Sequence, residues 1–221
     1  RVIEISEEIL RRGVKMRWGF KASCKQVSPE MLEIAKRAGC FRIHYGVETH
    51  SQEGLEALNK GITIERIHEV FRMTREAGLV AIAYMMVGCP HEKTPEEVQR
   101  IIPFIRKLNP DYVVYSLFTP YPDTEIFKEG ARRGLWDADV WEKFICDPKP
   151  GTKLPTMWTE HMDADTLLTL FKRTNRAFYF SPKVLIRTLL NLRSPAHLAR
   201  VIRGGISVLK LQLLSTSSRR I

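Results

Sequence analysis

Acidic residues are missing from the C-terminal part of this 221-residue chain. No Asp or Glu follows Asp165, whereas eleven Lys and Arg residues do, and the formal net charge of the whole chain is +10. Residues 1–165 are therefore close to neutral, and the positive charge belongs to the segment that follows. We expect no specific nucleic-acid binding, because the main body lacks the excess of basic residues that phosphate contacts require.

Closely spaced cysteines and long hydrophobic runs are also missing. The four cysteines lie far apart in the sequence, which argues against a disulfide-stapled scaffold; they are Cys24, Cys40, Cys89 and Cys146. No apolar run reaches the roughly 18 residues of a membrane-spanning helix. The chain begins with Arg1 and shows no signal peptide, so we expect the later part of a longer protein in a reducing cytoplasm.

Apolar periodicity predicts alternating strands and helices over residues 1–125. The predicted strands are Val14–Ser23, Phe41–Val47, Val80–Val87 and Tyr112–Phe118. Helix starts are marked by Ser28 before Pro29 and by a capping box at Thr94–Glu97, which is expected to open one helix that continues to Leu108. Single helices between strands favour right-handed crossovers and a parallel sheet. The sheet is either a doubly wound open sheet or part of a (β/α) barrel.

Side-chain alternation gives the predicted strands one apolar and one polar face. In the second strand Ile43, Tyr45 and Val47 alternate with a polar set, which is Arg42, His44, Gly46 and Glu48. The first strand divides in the same way, and its polar set is Lys15, Arg17, Gly19, Lys21 and Ser23. A parallel strand buried on both sides would be apolar throughout. The pattern therefore favours a hydrated or ligand-filled barrel lumen, with a sheet face turned to solvent as the alternative.

The pattern changes after residue 130. Aromatic residues and prolines without regular spacing predict a connector over residues 131–160, and a basic helical extension is expected over residues 161–221, beginning at Asp163 or Asp165. Basic and aliphatic residues alternate through residues 183–214. This composition predicts contact with an anionic membrane surface and a protein peripheral to the membrane. The alternative is that these helices dock on a part of the protein outside this chain.

Three short motifs follow predicted strands. They are Gly46-Val47-Glu48-Thr49-His50-Ser51, Gly88-Cys89-Pro90-His91-Glu92 and Pro120-Tyr121-Pro122-Asp123-Thr124-Glu125. Ligands of parallel α/β folds bind where strands end, so the motifs are expected to line one rim. Glycine permits close backbone approach to a ligand, and a carboxylate accepts hydrogen bonds from ribose hydroxyls or from an ammonium group. Each motif taken singly is also consistent with an ordinary turn.

Together and in this order, the motifs resemble those of the radical S-adenosylmethionine enzymes. The resemblance covers about residues 17–125 and includes Leu58-Asn59-Lys60-Gly61-Ile62-Thr63. A weaker resemblance, at Phe178-Tyr179-Phe180-Ser181-Pro182, is to the subgroup with an N-terminal cobalamin-binding domain. The resemblance to the radical S-adenosylmethionine enzymes implies that residues 1–130 form the later strands of a partial (β/α)6 barrel with S-adenosylmethionine across its top. It also implies a [4Fe–4S] cluster that cleaves S-adenosylmethionine, with cobalamin as a further candidate cofactor.

The resemblance also assigns candidate site residues. Glu48 stands where the family places a polar contact to S-adenosylmethionine, and Gly88, Pro90 and Glu92 stand on the loop near its adenine. The remaining candidates lie on the predicted polar face: Lys21 and Ser23 for the cofactor, Arg17 and Arg42 for a substrate in the lumen, and His44 for catalysis. A hydrogen-bonded structural role is the alternative for His44.

The chain departs from the family at the cluster. The family holds its cluster with a C-x3-C-x2-C loop, which this chain lacks, so we predict no metal ligand here and no radical chemistry by these residues alone. We expect buried thiols, of which Cys24 and Cys89 could reach the rim. Smaller departures are Ser23, where relatives often have Arg, and Asp123, where Gly is usual.

The reaction expected of the intact protein is radical methylation, cyclisation or rearrangement of an unactivated carbon in a small molecule, lipid-like substrates included. One alternative is a (β/α) domain without a cluster that serves as a binding or assembly module. The other is an aldolase-type barrel, in which Lys15 or Lys21 would be the only candidates for a Schiff base.

Overall fold

A parallel sheet of four strands organises the computed structural model, which describes residues 1–147, 156–190, 198–199 and 201–206. The strands are β1 (Trp18–Ala22), β2 (Cys40–Glu48), β3 (Val80–Val87) and β4 (Tyr112–Leu117). They lie side by side in chain order, and every neighbouring pair is parallel. The predicted α/β class and parallel sheet are confirmed.

The first strand is shorter than predicted. The sequence predicted Val14–Ser23, but β1 begins at Trp18, and the side chains of Val14 and Met16 are nearly half exposed. Gly39, at a φ of 89°, turns the chain into β2, and a Cβ on it would lie 2.1 Å from the carbonyl oxygen of Met16. The residues before Trp18 therefore pass against the turn that precedes β2 instead of pairing with that strand.

Helices connect the strands and continue after them. They are α1 (Val2–Arg11), α2 (Pro29–Arg37), α3 (Gln52–Ala57), α4 (Ile64–Glu76), α5 (Pro95–Gln99), α6 (Ile101–Leu108), α7 (Glu125–Arg132), α8 (Val140–Cys146), α9 (Ala164–Tyr179) and α10 (Pro182–Leu190). The predicted caps form: Ser28 Oγ accepts the Met31 N–H at 3.1 Å, and Thr94 and Glu97 make a complete capping box.

A proline divides the helix that was predicted to run from Pro95 to Leu108 in one piece. The structure has a short α5 and a separate α6, with Arg100 between them. Pro103 has no N–H to donate to the carbonyl of Gln99, four residues earlier, and Gln99 is the last residue of α5.

The buried core lies between one face of the sheet and the helices. Ile43, Tyr45 and Val47 of β2 are fully buried, as the alternation predicted. Helix α9 joins the same core through Leu167, and the Tyr179 hydroxyl donates to the Val113 carbonyl of β4 at 2.6 Å. Part of the predicted extension thus packs on the sheet, while the domain boundaries at residues 130 and 160 stay predictions.

The aromatic connector forms a second buried cluster. Phe127, Trp136 and Trp158 pack there with Phe118 and Cys89. Gly130 on α7 makes room for this arrangement, because a Cβ there would lie 2.1 Å from the Trp136 ring. Residues 148–155 of the predicted connector lie outside the described part of the chain.

Helix α10 docks on the loop before β4. Arg187 donates to the carbonyls of Pro110 at 2.9 Å and Asp111 at 2.7 Å. Of the segment predicted to touch a membrane, residues 191–197, 200 and 207–214 lie outside the described part. Within the described residues, no helix has the length and apolar character that crossing a bilayer requires.

Candidate functional site

A hollow of about 440 Å³ opens on the polar face of the sheet, towards the carboxyl ends of the strands. Its lining residues are Lys21, Ala22, Ser23, His44, Gly46, Glu48, Tyr84, Met86 and Ser116. The structure therefore brings together four of the residues proposed from the sequence: Lys21, Ser23, His44 and Glu48. Their assigned functional roles stay predictions.

Glu48 enters the hollow from a strained backbone position. It ends β2 at a φ of 70°, a left-handed conformation that is uncommon for glutamate. Gly46 leaves space for its side chain, because a Cβ there would lie 2.6 Å from Glu48 Oε1. Lys60 Nζ lies 3.3 Å from the same oxygen. Asn59 and Gly61, both left-handed, flank Lys60 in its turn. One carboxylate is thus held at the rim by a single half-exposed lysine.

His44 also lines the hollow and contacts a tyrosine. Its Nδ1 is 3.2 Å from the Tyr84 hydroxyl, and Lys21 Nζ lies 5.5 Å from the centre of the Tyr84 ring. Burial lowers the pKa of His44, and the positive charges of Arg42 and Lys21 lower it further. A neutral imidazole in this position can accept a proton or exchange a hydrogen bond with the phenol.

The two predicted arginines do not line the hollow. Arg42 pairs in register with Gly19. This pair lies two residues before the pair of Lys21 and His44, towards the amino ends of the strands. The guanidinium of Arg42 lies 5.1 Å from the centre of the Phe41 ring, and that of Arg17 lies 4.6 Å from it. The expectation that Arg42 shares one cavity with Glu48 is therefore wrong, because the hollow lies closer to the carboxyl ends of the strands.

The loop after β3 is held from inside by Glu92. Its Oε2 accepts the N–H groups of Gly88 at 2.8 Å and Cys89 at 2.9 Å, and its side chain is almost completely buried. Gly88 has a φ of 80° and packs against Leu167. Gly88, Pro90 and Glu92 thus lie beside the hollow without lining it.

A buried histidine faces the other oxygen of Glu92. His50 Nδ1 lies 3.6 Å from Glu92 Oε1, and neither buried atom has a hydrogen-bond partner. Burial raises the pKa of Glu92 to about 7 and lowers the pKa of His50 to about 4. A proton on Oε1 would point at Nδ1, so we infer that the neutral form of the pair is favoured in slightly acidic solution.

The cysteines do not form a metal site in the described part of the chain. Cys24, Cys40 and Cys89 are buried, and only Cys146 is exposed. The expectation that Cys24 and Cys89 could reach the rim is wrong, because their thiols lie in the apolar core and burial raises both pKa values. No group of three His, Cys, Asp or Glu residues suitable for a metal occurs among the described residues. These residues do not fit a [4Fe–4S] cluster.

Five contributors were not identified from the sequence. Ala22, Tyr84, Met86 and Ser116 line the hollow, and Lys60 pairs with Glu48. The side chains of Tyr84 and Met86 alternate with the buried Ala83, Met85 and Val87, a period-two signal that the apolar composition of β3 conceals. Lys60 gives no such signal, because only the fold brings its turn beside the end of β2.

Sequence comparison places the chain among known proteins. The family model described as the radical SAM superfamily matches residues 2–105. An uncharacterised methyltransferase of Pyrococcus horikoshii is 29% identical over 94% of this chain and 44% of its own length. The anaerobic magnesium-protoporphyrin IX monomethyl ester cyclase of Rubrivivax gelatinosus is 26% identical over 83% of this chain and 32% of its own length. The chain thus spans less than half the length of these relatives.

Structure comparison supports the fold. The cobalamin-dependent S-adenosylmethionine radical enzyme OxsB, with aqua-cobalamin and S-adenosylmethionine bound, aligns with a TM-score of 0.60 and 17% identity. The alignment covers 97% of this chain and 36% of OxsB. With this likeness, the predicted fold class, a partial (β/α) barrel followed by a mainly helical part, is confirmed.

Proposed function

We propose, on the premise that residues 2–105 match the family model of the radical SAM superfamily, that the hollow beside Glu48 binds S-adenosylmethionine. The observation that carries the proposal is a carboxylate turned into a 440 Å³ hollow at the carboxyl edge of a parallel sheet. A carboxylate there can accept hydrogen bonds from ribose hydroxyls or from the ammonium group of the cofactor. Keeping Glu48 in a left-handed backbone conformation costs free energy, which is typical of functional positions.

The proposed reaction is radical methylation, cyclisation or rearrangement of an unactivated carbon. Supporting this range, the relatives include a methyltransferase and a cyclase. When bound, S-adenosylmethionine and an iron–sulfur cluster would supply the radical, and cobalamin is proposed as a further cofactor because OxsB binds it. Residues 1–221 would contribute the cofactor contact at Glu48 and the wall of the hollow, with the neutral His44 and the Tyr84 phenol available for proton transfer.

Variants of Glu48 test this proposal through binding and stability together. Replacing Glu48 with alanine is expected to weaken S-adenosylmethionine binding at least about tenfold, since charge-assisted hydrogen bonds are lost. Its unfolding free energy should change by less than about 1 kcal/mol, because the side chain makes one ion pair, at 3.3 Å to the partly exposed Lys60, and such pairs stabilise little. Glu48→Gly should be more stable than Glu48→Ala by about 1 kcal/mol, because glycine tolerates positive φ.

Isothermal titration calorimetry and urea unfolding measure the two quantities. The matched control is Glu53→Ala, which removes an exposed glutamate from the neighbouring helix α3. If Glu48→Ala binds the cofactor as tightly as the Glu53→Ala control, Glu48 is not the contact and the proposed site is wrong.

We further propose that the C-terminal segment, residues 183–214, touches an anionic membrane surface. The supporting observation is a row of exposed apolar side chains on α10, namely Leu185, Ile186, Leu189 and Leu190. Apolar side chains beside basic ones suit the boundary between headgroups and acyl chains. Co-sedimentation with vesicles rich in phosphatidylserine should exceed that with pure phosphatidylcholine and should fall at high salt. Leu189→Ser should weaken it, whereas equal sedimentation with both vesicles would count against an anionic surface.

A further inference from the structure

The open face of the sheet has two unlike halves. The half formed by β1 and β2 carries Lys21, Arg42 and His44, whereas the half formed by β3 and β4 carries aromatic and aliphatic side chains together with Ser116. The register fixes this arrangement: Lys21 lies beside His44, His44 beside Ile82, and Ile82 beside Tyr112. The next row towards the carboxyl ends runs from Gly46 through Tyr84 to Val114.

The cationic half is without acidic partners in the described structure. Neither Lys21 nor Arg42 forms a salt bridge with a carboxylate of the described residues, and the acidic residue of the hollow, Glu48, is paired with Lys60. Both cations lie near His44, since Lys21 pairs with it in register and Arg42 precedes it by two residues on β2, and both depress its pKa. Two unneutralised cations beside a partly buried imidazole attract an anion.

Arg42 has a prepared position on this face. A Cβ on Gly19 would lie 2.7 Å from Arg42 Cγ, so the side chain crosses β1 where that strand has no side chain of its own. The guanidinium also stacks on Phe41, as does that of Arg17. The arginine is thus held along the strands by packing while its donors stay accessible.

The apolar half is buried at Ile82 of β3 and exposed at β4, although the composition of β4 favours burial. Tyr112 is 51% exposed and Val114 is 40% exposed, both on the strand farthest from the cations. Neighbouring strands lie about 4.8 Å apart, so β4 is about 10 Å from β2. A ligand bound across this face would meet positive charge at one end and an apolar surface about 10 Å away.

We propose that the substrate of this protein is an amphipathic anion that extends from the hollow across the adjoining open face of the sheet. Its carboxylate or phosphate would lie over Lys21, in the wall of the hollow, and over Arg42, which lies outside it, and its apolar body would run from Tyr84 in the hollow to Tyr112 and Val114 on β4. The inference rests on the proposed function, because it names the substrate class of the site that includes the hollow.

Direct binding of simple amphiphiles tests the proposal. Octyl phosphate, octanoate and 1-octanol share one alkyl chain and differ in the head group, and inorganic phosphate provides the head group alone. Calorimetric titration of the purified protein, below the critical micelle concentrations, should show at least tenfold tighter binding of one anion than of 1-octanol or inorganic phosphate. The tighter of the two anions identifies the head group as phosphate or carboxylate. Equal affinities for the octyl anions and 1-octanol would overturn the proposal.

Paired variants locate the two halves. Arg42→Gln should weaken the better anion about tenfold while 1-octanol is unaffected, and Arg42→Lys should recover part of the loss. Val114→Ser should weaken every alkyl probe and leave inorganic phosphate unchanged. The control is Lys107→Gln, on the exposed surface of α6. A loss in this control as large as that in Arg42→Gln would show attraction to the overall positive charge and would refute the proposed site.

A separate titration with S-adenosylmethionine distinguishes this inference from the proposed function. If the protein binds S-adenosylmethionine in a Glu48-dependent manner but no octyl anion, the substrate class is wrong and the proposed function stands. If octyl anions bind in an Arg42-dependent manner and S-adenosylmethionine does not bind, the cofactor proposal fails and the amphipathic site stands.

Discussion

Replacing Glu92 with alanine is expected to lower the free energy of unfolding by about 3 kcal/mol. The substitution leaves the N–H groups of Gly88 and Cys89 without their acceptor in the core, and each unpaired buried group costs about 1–3 kcal/mol. Glu92→Gln should be far less damaging, because the amide oxygen can accept the same two hydrogen bonds and the amide NH₂ can face His50 Nδ1. Urea unfolding at pH 7 measures both effects.

The control for Glu92 is Glu96→Ala, an exposed glutamate of helix α5. Its unfolding free energy should stay within about 0.5 kcal/mol of the unsubstituted protein. A loss for Glu92→Ala no larger than for this control would mean that the buried carboxylate does not hold the loop.

The stability of the unsubstituted protein should depend on pH differently from that of Glu92→Gln. Because burial raises the pKa of Glu92 from 4.5 to about 7, the folded state holds an extra proton between these values. Relative to Glu92→Gln, the unsubstituted protein should therefore lose stability as the pH rises from about 4.5 to 7, by up to about 3 kcal/mol. The lowered pKa of His50 acts in the opposite direction, but His50 is present in both proteins. Parallel stability curves for the two would contradict a raised Glu92 pKa.

Anaerobic reconstitution with iron and sulfide should give residues 1–221 no stoichiometric [4Fe–4S] cluster and no 5′-deoxyadenosine from S-adenosylmethionine. Such clusters need several clustered thiolates, and the cysteines here lie on separate elements. Burial holds the pKa of Cys24 at about 12 and also raises those of Cys40 and Cys89. These three thiols stay protonated and out of contact with solvent.

Thiol labelling independently checks that Cys24, Cys40 and Cys89 are buried. One cysteine, Cys146, should react rapidly in the native protein, and all four should react after denaturation. Any iron bound in small amounts should disappear in Cys146→Ala, because this variant removes the exposed thiol. A full cluster with 5′-deoxyadenosine release from these residues would refute the prediction.

The sequence was most informative where a signal is local. The alternation in β2 predicted the side of the sheet on which Glu48 and His44 lie, and the Ser28 and Thr94 caps located two helix starts. Local signals failed where distant parts of the chain meet. The pairing of Lys60 with Glu48 and the turn of Glu92 towards His50 depend on how helices and loops pack over the sheet.

The effect of Pro103 on the helix was not predicted from the sequence. The position of Pro103 within an apolar stripe favoured a continuous helix, whereas its missing N–H ends α5 at Gln99. The apolar periodicity was correct, since Ile101, Ile105 and Leu108 are buried, but periodicity does not report breaks in backbone hydrogen bonding.

The break at Arg100, which Pro103 causes, also divides the helical layer into parts that can open separately. Helix α5 is five residues long and lies just after the loop that Glu92 anchors, and its hydrogen bonds end before those of α6 begin. Fraying of α5 therefore need not disturb the buried residues of α6, and local opening costs less than global unfolding. The amide protons of residues 96–99 are therefore expected to exchange with solvent faster than those of α6, in which Pro103 alone carries no amide proton. The rim after β3 can thus open locally while the sheet stays intact.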